Sequence, residues 1–96
     1  MSNNIIICIP KVRRTISKKY IFNIFNKFNF GEIQRIDLVK KYDTQRAFIH
    51  YNYWNDNEKI SQIKKWLIEG NDIKIIYDEP WYWKCSSAFR LQNKNI

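Results

Sequence analysis

The sequence predicts an α+β fold with element order β-α-β-β-α-β. Its four strands form one antiparallel sheet in spatial order 4-1-3-2, and both helices lie on one face. Three observations carry this expectation. Apolar residues recur at helical spacing in two segments and as short or alternating β-type runs in four. Turn-favouring Pro10, Gly31, Gly70 and Pro80 fall between those segments. With 96 residues, 45% of them hydrophobic, the chain suffices for one domain and is unlike the low-hydrophobicity composition of disorder.

Asn4 to Ile9 is a short β-branched run closed by Pro10 and reads as a buried central strand. Lys11 to Arg14 follows as a basic loop. Thr15 or Ser17 can cap a first helix with the stripe Ile16, Tyr20, Ile24 and Phe28, and with Ile21 and Phe25 beside it. Gly31 is then the turn residue. Glu32 to Val39 is the second strand, with Ile33, Ile36 and Leu38 inward and a slip between the first two. Lys40 to Gln45 is a polar hairpin loop. Arg46 to Tyr51 is the third strand, and period two puts Ala47, Ile49 and Tyr51 on one face. Asn55 or Asp56 caps a second helix bearing Ile60, Ile63 and Leu67, with Gly70 as its αL stop. Asp72 to Tyr77 is the fourth strand. Pro80 ends the sheet, so residues 1–79 form the domain and residues 80–96 a tail, first aromatic and then polar.

Seventeen Lys and Arg against nine Asp and Glu give a formal net charge of +8 and a pI near 9.6. Such an excess favours polyanions, because phosphate contacts release counterions. Two cysteines, Cys8 and Cys85, make no disulfide framework, and with His50 as the single histidine they make no zinc set. A reduced intracellular compartment, cytoplasm or nucleus, is the expectation. The apolar stretch Ile5 to Ile9 is too short for a signal peptide and is followed, not preceded, by basic residues. No segment has the length of a transmembrane helix. The sequence offers no Gly-rich phosphate loop, no nucleophile–base pair and no paired carboxylates, and Asp78 and Glu79 read as turn residues. Neither an enzyme nor a cofactor is expected. The abundance of Ile, Asn and Lys matches AT-rich codons and says little about fold.

Strand parity selects the candidate site. If Ala47 and Ile49 face the helices, then Arg46, Phe48 and His50 face away. Ile6 and Cys8 from strand one, Arg35 and Asp37 from strand two, and Lys74 and Ile76 from strand four join them. An apolar centre of Phe48, Ile6 and Ile76 rimmed by Arg46, Lys74, Arg35 and His50 suits a single nucleic-acid strand. Alternatively, the tail folds back over this patch. Trp81, Tyr82 and Trp83 cannot all pack on one face of one element. They could extend a stacking platform, seal the sheet as a lid, or form a self-association patch.

Over residues 4–78 the layout resembles the RNA-recognition-motif family, a ferredoxin-like sandwich. Thr44-Gln45-Arg46-Ala47-Phe48-Ile49-His50-Tyr51 is similar to the family's strand-three octamer. Ala47, Phe48, Ile49 and Tyr51 fit, Arg46 stands where an aromatic is usual, and Gln45 replaces a glycine. Ile5 to Pro10 is similar to the strand-one hexamer, with Ile6 at a position that is usually aromatic. The resemblance implies single-stranded RNA as partner, with Phe48 stacking a base and Arg46 stacking or binding phosphate. It also implies a phosphate clamp of Lys40, Lys41 and Arg46 at the strand-two to strand-three loop. Residues 77–84 look like a segment of small domains of this type encoded by large nucleocytoplasmic DNA viruses, which implies a virion or viral factory. The expected function is non-enzymatic binding of single-stranded RNA or DNA. The alternative is a protein-interaction or self-assembly module, a homo-oligomer built on Trp81-Tyr82-Trp83.

Overall fold

A computed structural model describes residues 5–88. In chain order the elements are β1 (Ile7–Arg13), α1 (Lys18–Phe28), β2 (Gly31–Lys40), β3 (Thr44–Trp54), α2 (Glu58–Ile68), β4 (Ile73–Asp78) and β5 (Trp81–Ser87). The polar end of the expected tail lies outside the described residues, as does Asn4.

Each helix starts where a side-chain oxygen supplies a missing acceptor. Ser17 Oγ accepts the Tyr20 N–H at 3.1 Å, and Asn57 Oδ1 accepts the Ile60 N–H at 2.9 Å. The second cap is therefore Asn57 rather than Asn55 or Asp56. Asn55 is engaged elsewhere: its backbone N–H donates to the Phe30 carbonyl at 2.7 Å and its side-chain amide to the Asn29 carbonyl at 2.8 Å. The first helix stops at Asn29, which is left-handed with φ 55°. The second stops at Gly70, with φ 94°. There the Gly70 N–H donates to Leu67 and the Asn71 N–H to Trp66, at 3.0 and 3.2 Å, a Schellman closure that only a residue tolerant of positive φ allows. Gly31 is not a turn. It lies in β2 opposite Trp54, where a Cβ would run into the Tyr53 carbonyl oxygen.

The expected four-stranded sheet in order 4-1-3-2 is overturned. The sheet has five antiparallel strands in the order β2-β3-β1-β5-β4. Both β3 and β5 run antiparallel to β1, so they are parallel to each other. The strand β5 thus takes the place and polarity expected of the fourth strand, and β4 is an added edge strand. The physical reason lies at Pro80. That residue does not end the sheet; it sits in the Glu79-Pro80 turn, whose peptide is cis, and joins β4 to β5 as a hairpin. Residues 81–87 of the expected tail are therefore a sheet strand.

The first strand begins at Ile7, with Ile5 and Ile6 before it rather than in it, and passes through Pro10 to bring Lys11 and Arg13 into the sheet. Its pairing with β3 jumps from Ile9↔Ala47 to Val12↔Gln45. Pro10 and Lys11 thus oppose Arg46 alone, a bulge at the residue that has no N–H to donate. The expected loop Lys40 to Gln45 shrinks to residues 41–43, because Gln45 is buried in β3. Its amide donates to the Arg13 and Ile16 carbonyls at 2.9 and 2.8 Å.

Both helices contribute to a single core on one side of the sheet. Ile21, Ile24 and Phe25 of α1 and Ile60 and Leu67 of α2 meet Ile7, Ile9, Ala47, Ile49 and Ile75. Tyr20 and Phe28, expected in the α1 stripe, lie at its rim with 37% and 42% exposure. Trp83 anchors the β4–β5 hairpin in this core, stacked on Tyr77 with centroids 4.3 Å apart and parallel to Phe25 at 6.3 Å.

Candidate functional site

On the side of the sheet away from the helices, register brings together part of the expected patch. Arg35 lies opposite His50, Asp37 opposite Phe48 and Val39 opposite Arg46. Phe48, Arg46 and His50 are half-buried, and the Arg46 Nε is buried with no hydrogen-bond partner among the described residues. Asp37 organises the group: its carboxylate lies 2.9 Å from His50 Nε2 and accepts from Arg35 Nε at 3.3 Å. Loss of hydration would raise the Asp37 carboxyl, but the Arg35 hydrogen bond and charge, aided by His50, outweigh it and hold the pKa below the ordinary carboxylate value. Arg35 and His50, both expected in the rim of the patch, therefore face a carboxylate already.

The rest of the expected patch is dispersed. Ile6 precedes β1, and its carbonyl accepts the Ala88 N–H at 2.8 Å. The centre of this side is formed by Cys8 of β1 and, opposite it, Ser86 of β5, both removed from solvent. Lys74 and Ile76 are exposed on β4, one strand further from Phe48 than expected because β5 intervenes. Lys40 and Lys41 are exposed at the β2–β3 turn beside Tyr42, which is 97% exposed. Arg14 reaches this turn and donates to the Tyr42 carbonyl at 2.9 Å.

A second cluster forms at the β4–β5 end. Alternation along β5 sends Trp83 and Cys85 into the core and leaves Tyr82 and Lys84 exposed, while Trp81 at the strand's start is exposed as well. Trp81 and Tyr82 are 58% and 48% exposed. Each carries a cation on its ring: Lys74 Nζ lies 4.7 Å from the Tyr82 centroid, and the Arg13 guanidinium 6.0 Å from that of Trp81. Arg13 also reaches the Tyr77 hydroxyl at 3.4 Å, a bond that raises its pKa further. Lys84 meets Asp72 at 3.7 Å, an exposed and therefore weak pair.

Among the described residues, β1–β5 pairing is confined to Ile7↔Ser87 and Cys8↔Ser86. Beyond these the strands part and enclose a cleft of about 650 Å³, lined by Pro10 and Lys11 of β1 and residues 80–84. Among the described residues no acidic side chain lines it. Lys84 and Tyr42 escaped the sequence reading. For Lys84 the signal was available, since Trp83-Lys84-Cys85-Ser86 alternates apolar and polar. For Tyr42 there was none, because a tyrosine in a polar turn carries no periodicity.

Cys8 and Cys85 are both buried, and burial pushes the Cys85 thiol up, keeping it protonated. Among the described residues no group of His, Cys, Asp and Glu could hold a metal ion, and no helix is long and apolar enough to cross a membrane. The chain matches no protein-family model, no curated protein and no solved structure.

Proposed function

We propose that the chain binds single-stranded nucleic acid, RNA by preference, as a module without catalytic activity. The observation that carries this reading is the pair of exposed rings on β5, Trp81 and Tyr82, each covered by a cation from a neighbouring strand. Exposed rings accept bases of any sequence, and nearby cations attract the backbone. The net charge of +8 supplies the long-range attraction. Lys40 and Lys41 of the β2–β3 turn, with Arg14, offer phosphate contacts at the same end of β1 as Trp81. The similarity of Thr44–Tyr51 to the RNA-recognition-motif octamer supports RNA over DNA and keeps Phe48 and Arg46 as secondary contacts. The β5 pair replaces the sheet centre as the main platform, because Ile6 has no place on the strand and Asp37 engages Arg35 and His50.

The test is fluorescence anisotropy with RNA of about 12 nucleotides, within the span of one such module. Micromolar affinity is expected, with log K falling against log salt by about 0.7 per phosphate contacted. Affinity indifferent to salt and to Trp81→Ala with Tyr82→Ala overturns the reading. A second reading, self-association, is favoured by one observation: Ile76, 51% exposed on edge strand β4, pairs with exposed Tyr82. A concentration-dependent dimer in light scattering, lost in Trp81→Ala, would support it.

A further inference from the structure

We infer that the cleft between β1 and β5 holds one nucleotide unit of the bound strand, its base against Trp81 and Tyr82 and its phosphate between Lys11 and Lys84. This rests on the reading of the chain as a single-strand binder and gives that reading a built site. The cleft's volume of about 650 Å³ lies within the range of pockets that enclose small ligands, whereas a flat stacking platform would enclose nothing. Its walls are pre-formed. Pro10 sits in the β1 bulge and has no N–H to pair, so the ladder cannot close the gap toward β5. Pro80 fixes the turn on the opposite wall, and Trp83 pins the hairpin from beneath through its stack on Tyr77.

The lining combines two chemistries that a nucleotide also combines. Pro10, Pro80, Trp81 and Tyr82 present flat apolar and aromatic surface, and Lys11 and Lys84 present positive charge, Lys84 from an exposed and weak pair with Asp72 that a phosphate replaces. An apolar ligand would leave the lysines unused, and a bare anion would leave the rings unused. Arg13 lies over Trp81 without lining the cleft, which holds the indole in place. Because every base has a π-face, stacking on these rings tolerates any base.

The test uses the full chain and the indole N–H signal of Trp81 in NMR, identified with Trp81→Phe. Adenosine 5′-monophosphate is expected to shift that signal with millimolar affinity. Adenosine and ribose 5-phosphate should each bind at least fivefold more weakly. Lys11→Ala with Lys84→Ala, both at exposed positions, should weaken the monophosphate at least fivefold and leave adenosine unchanged. RNA of about 12 nucleotides should displace the monophosphate. Equal binding of adenosine and its monophosphate overturns the inference, as does equal binding of ribose 5-phosphate. Monophosphate that the RNA fails to displace overturns the strand as its source. RNA that binds without moving the Trp81 signal removes the cleft while the single-strand reading stands. Failure of the RNA to bind at all removes both.

Discussion

At the β2–β3 end of the sheet, Arg35 and His50 both turn toward the Asp37 carboxylate, and the one ring between them and β1, Phe48, is half-buried. At the β4–β5 end, Lys74 and Arg13 lie over the rings of Tyr82 and Trp81, and those rings are half-exposed. The two ends carry similar residue types. A cation that already faces a carboxylate has little counterion to release to a phosphate, whereas one resting on a ring keeps its full charge and orders a stacking surface beside it. Net charge therefore shows that a polyanion is attracted, and the partners of the cations separate the ends: Asp37 holds Arg35 and His50 at one, whereas at the other Asp72 faces Lys84 at 3.7 Å but Lys74 and Arg13 rest on rings.

The largest expected effect separates the inner side of the β4–β5 hairpin from its outer side. Trp83→Ala empties a buried position between Tyr77 and Phe25 and should cost about 3–5 kcal/mol in urea unfolding, a large share of the 5–15 kcal/mol typical of a domain. Trp81→Ala, at an exposed position, should stay within about 0.5 kcal/mol. Equal losses would mean that the outer ring also holds the fold and is no free platform.

Binding should divide the ends in the opposite sense. Trp81→Ala and Tyr82→Ala should each weaken RNA binding about 5- to 150-fold, the value of one lost stack of roughly 1–3 kcal/mol. Phe48→Ala should weaken it less than about threefold, since a half-buried ring beside Asp37 offers a base little surface. Anisotropy titrations of the three variants decide the matter, and a larger loss at Phe48 would return the site to β3.

The legibility of these two ends in the sequence was unequal, for physical reasons. The β2–β3 end was read through parity, which needs only Ala47, Ile49 and Tyr51 to fix the face, and Arg46, Phe48 and His50 duly share the other side. The effect of Asp37 was not legible, because it depends on the pairings Arg35↔His50 and Asp37↔Phe48, and bulges at Glu32 and Ile33 set that register. The helices were legible because their apolar spacing, the Ser17 cap and the Gly70 stop are local, although the second cap fell at Asn57 rather than Asn55 or Asp56 and the first helix stopped at Asn29. The fifth strand was not, because Pro80 reads equally as the end of a sheet and as a hairpin turn. Only the tertiary burial of Trp83 settles which.

Asp37→Asn tests the aspartate directly. With the carboxylate gone, Arg35 and His50 no longer face an anion, and RNA affinity should rise about two- to fivefold, with a salt slope steeper by about 0.7. Anisotropy across a salt series measures both. Unchanged affinity and slope would mean that the β2–β3 end takes no part in binding even when freed.

The smallest expected effect concerns acid stability, and its sign follows from the same carboxylate. In the folded chain Asp37 titrates below its ordinary value, whereas in the unfolded chain it titrates near the reference of about 3.9. The unfolded state therefore takes up the proton first as the pH falls. The contribution of Asp37 is complete above the unfolded value and is lost as pH drops through the folded one. Wild type should thus lose more stability than Asp37→Asn between neutral pH and about pH 3, in urea unfolding at a series of pH values. The difference should be modest and should narrow at high salt, because the Asp37 side chain is 43% exposed and its partner Arg35 57% exposed, where water and ions screen the pair. If the two proteins lose stability in parallel, Asp37 does not favour the folded state through Arg35 and His50. The cations of the β2–β3 end would then be as available as those of the β4–β5 end.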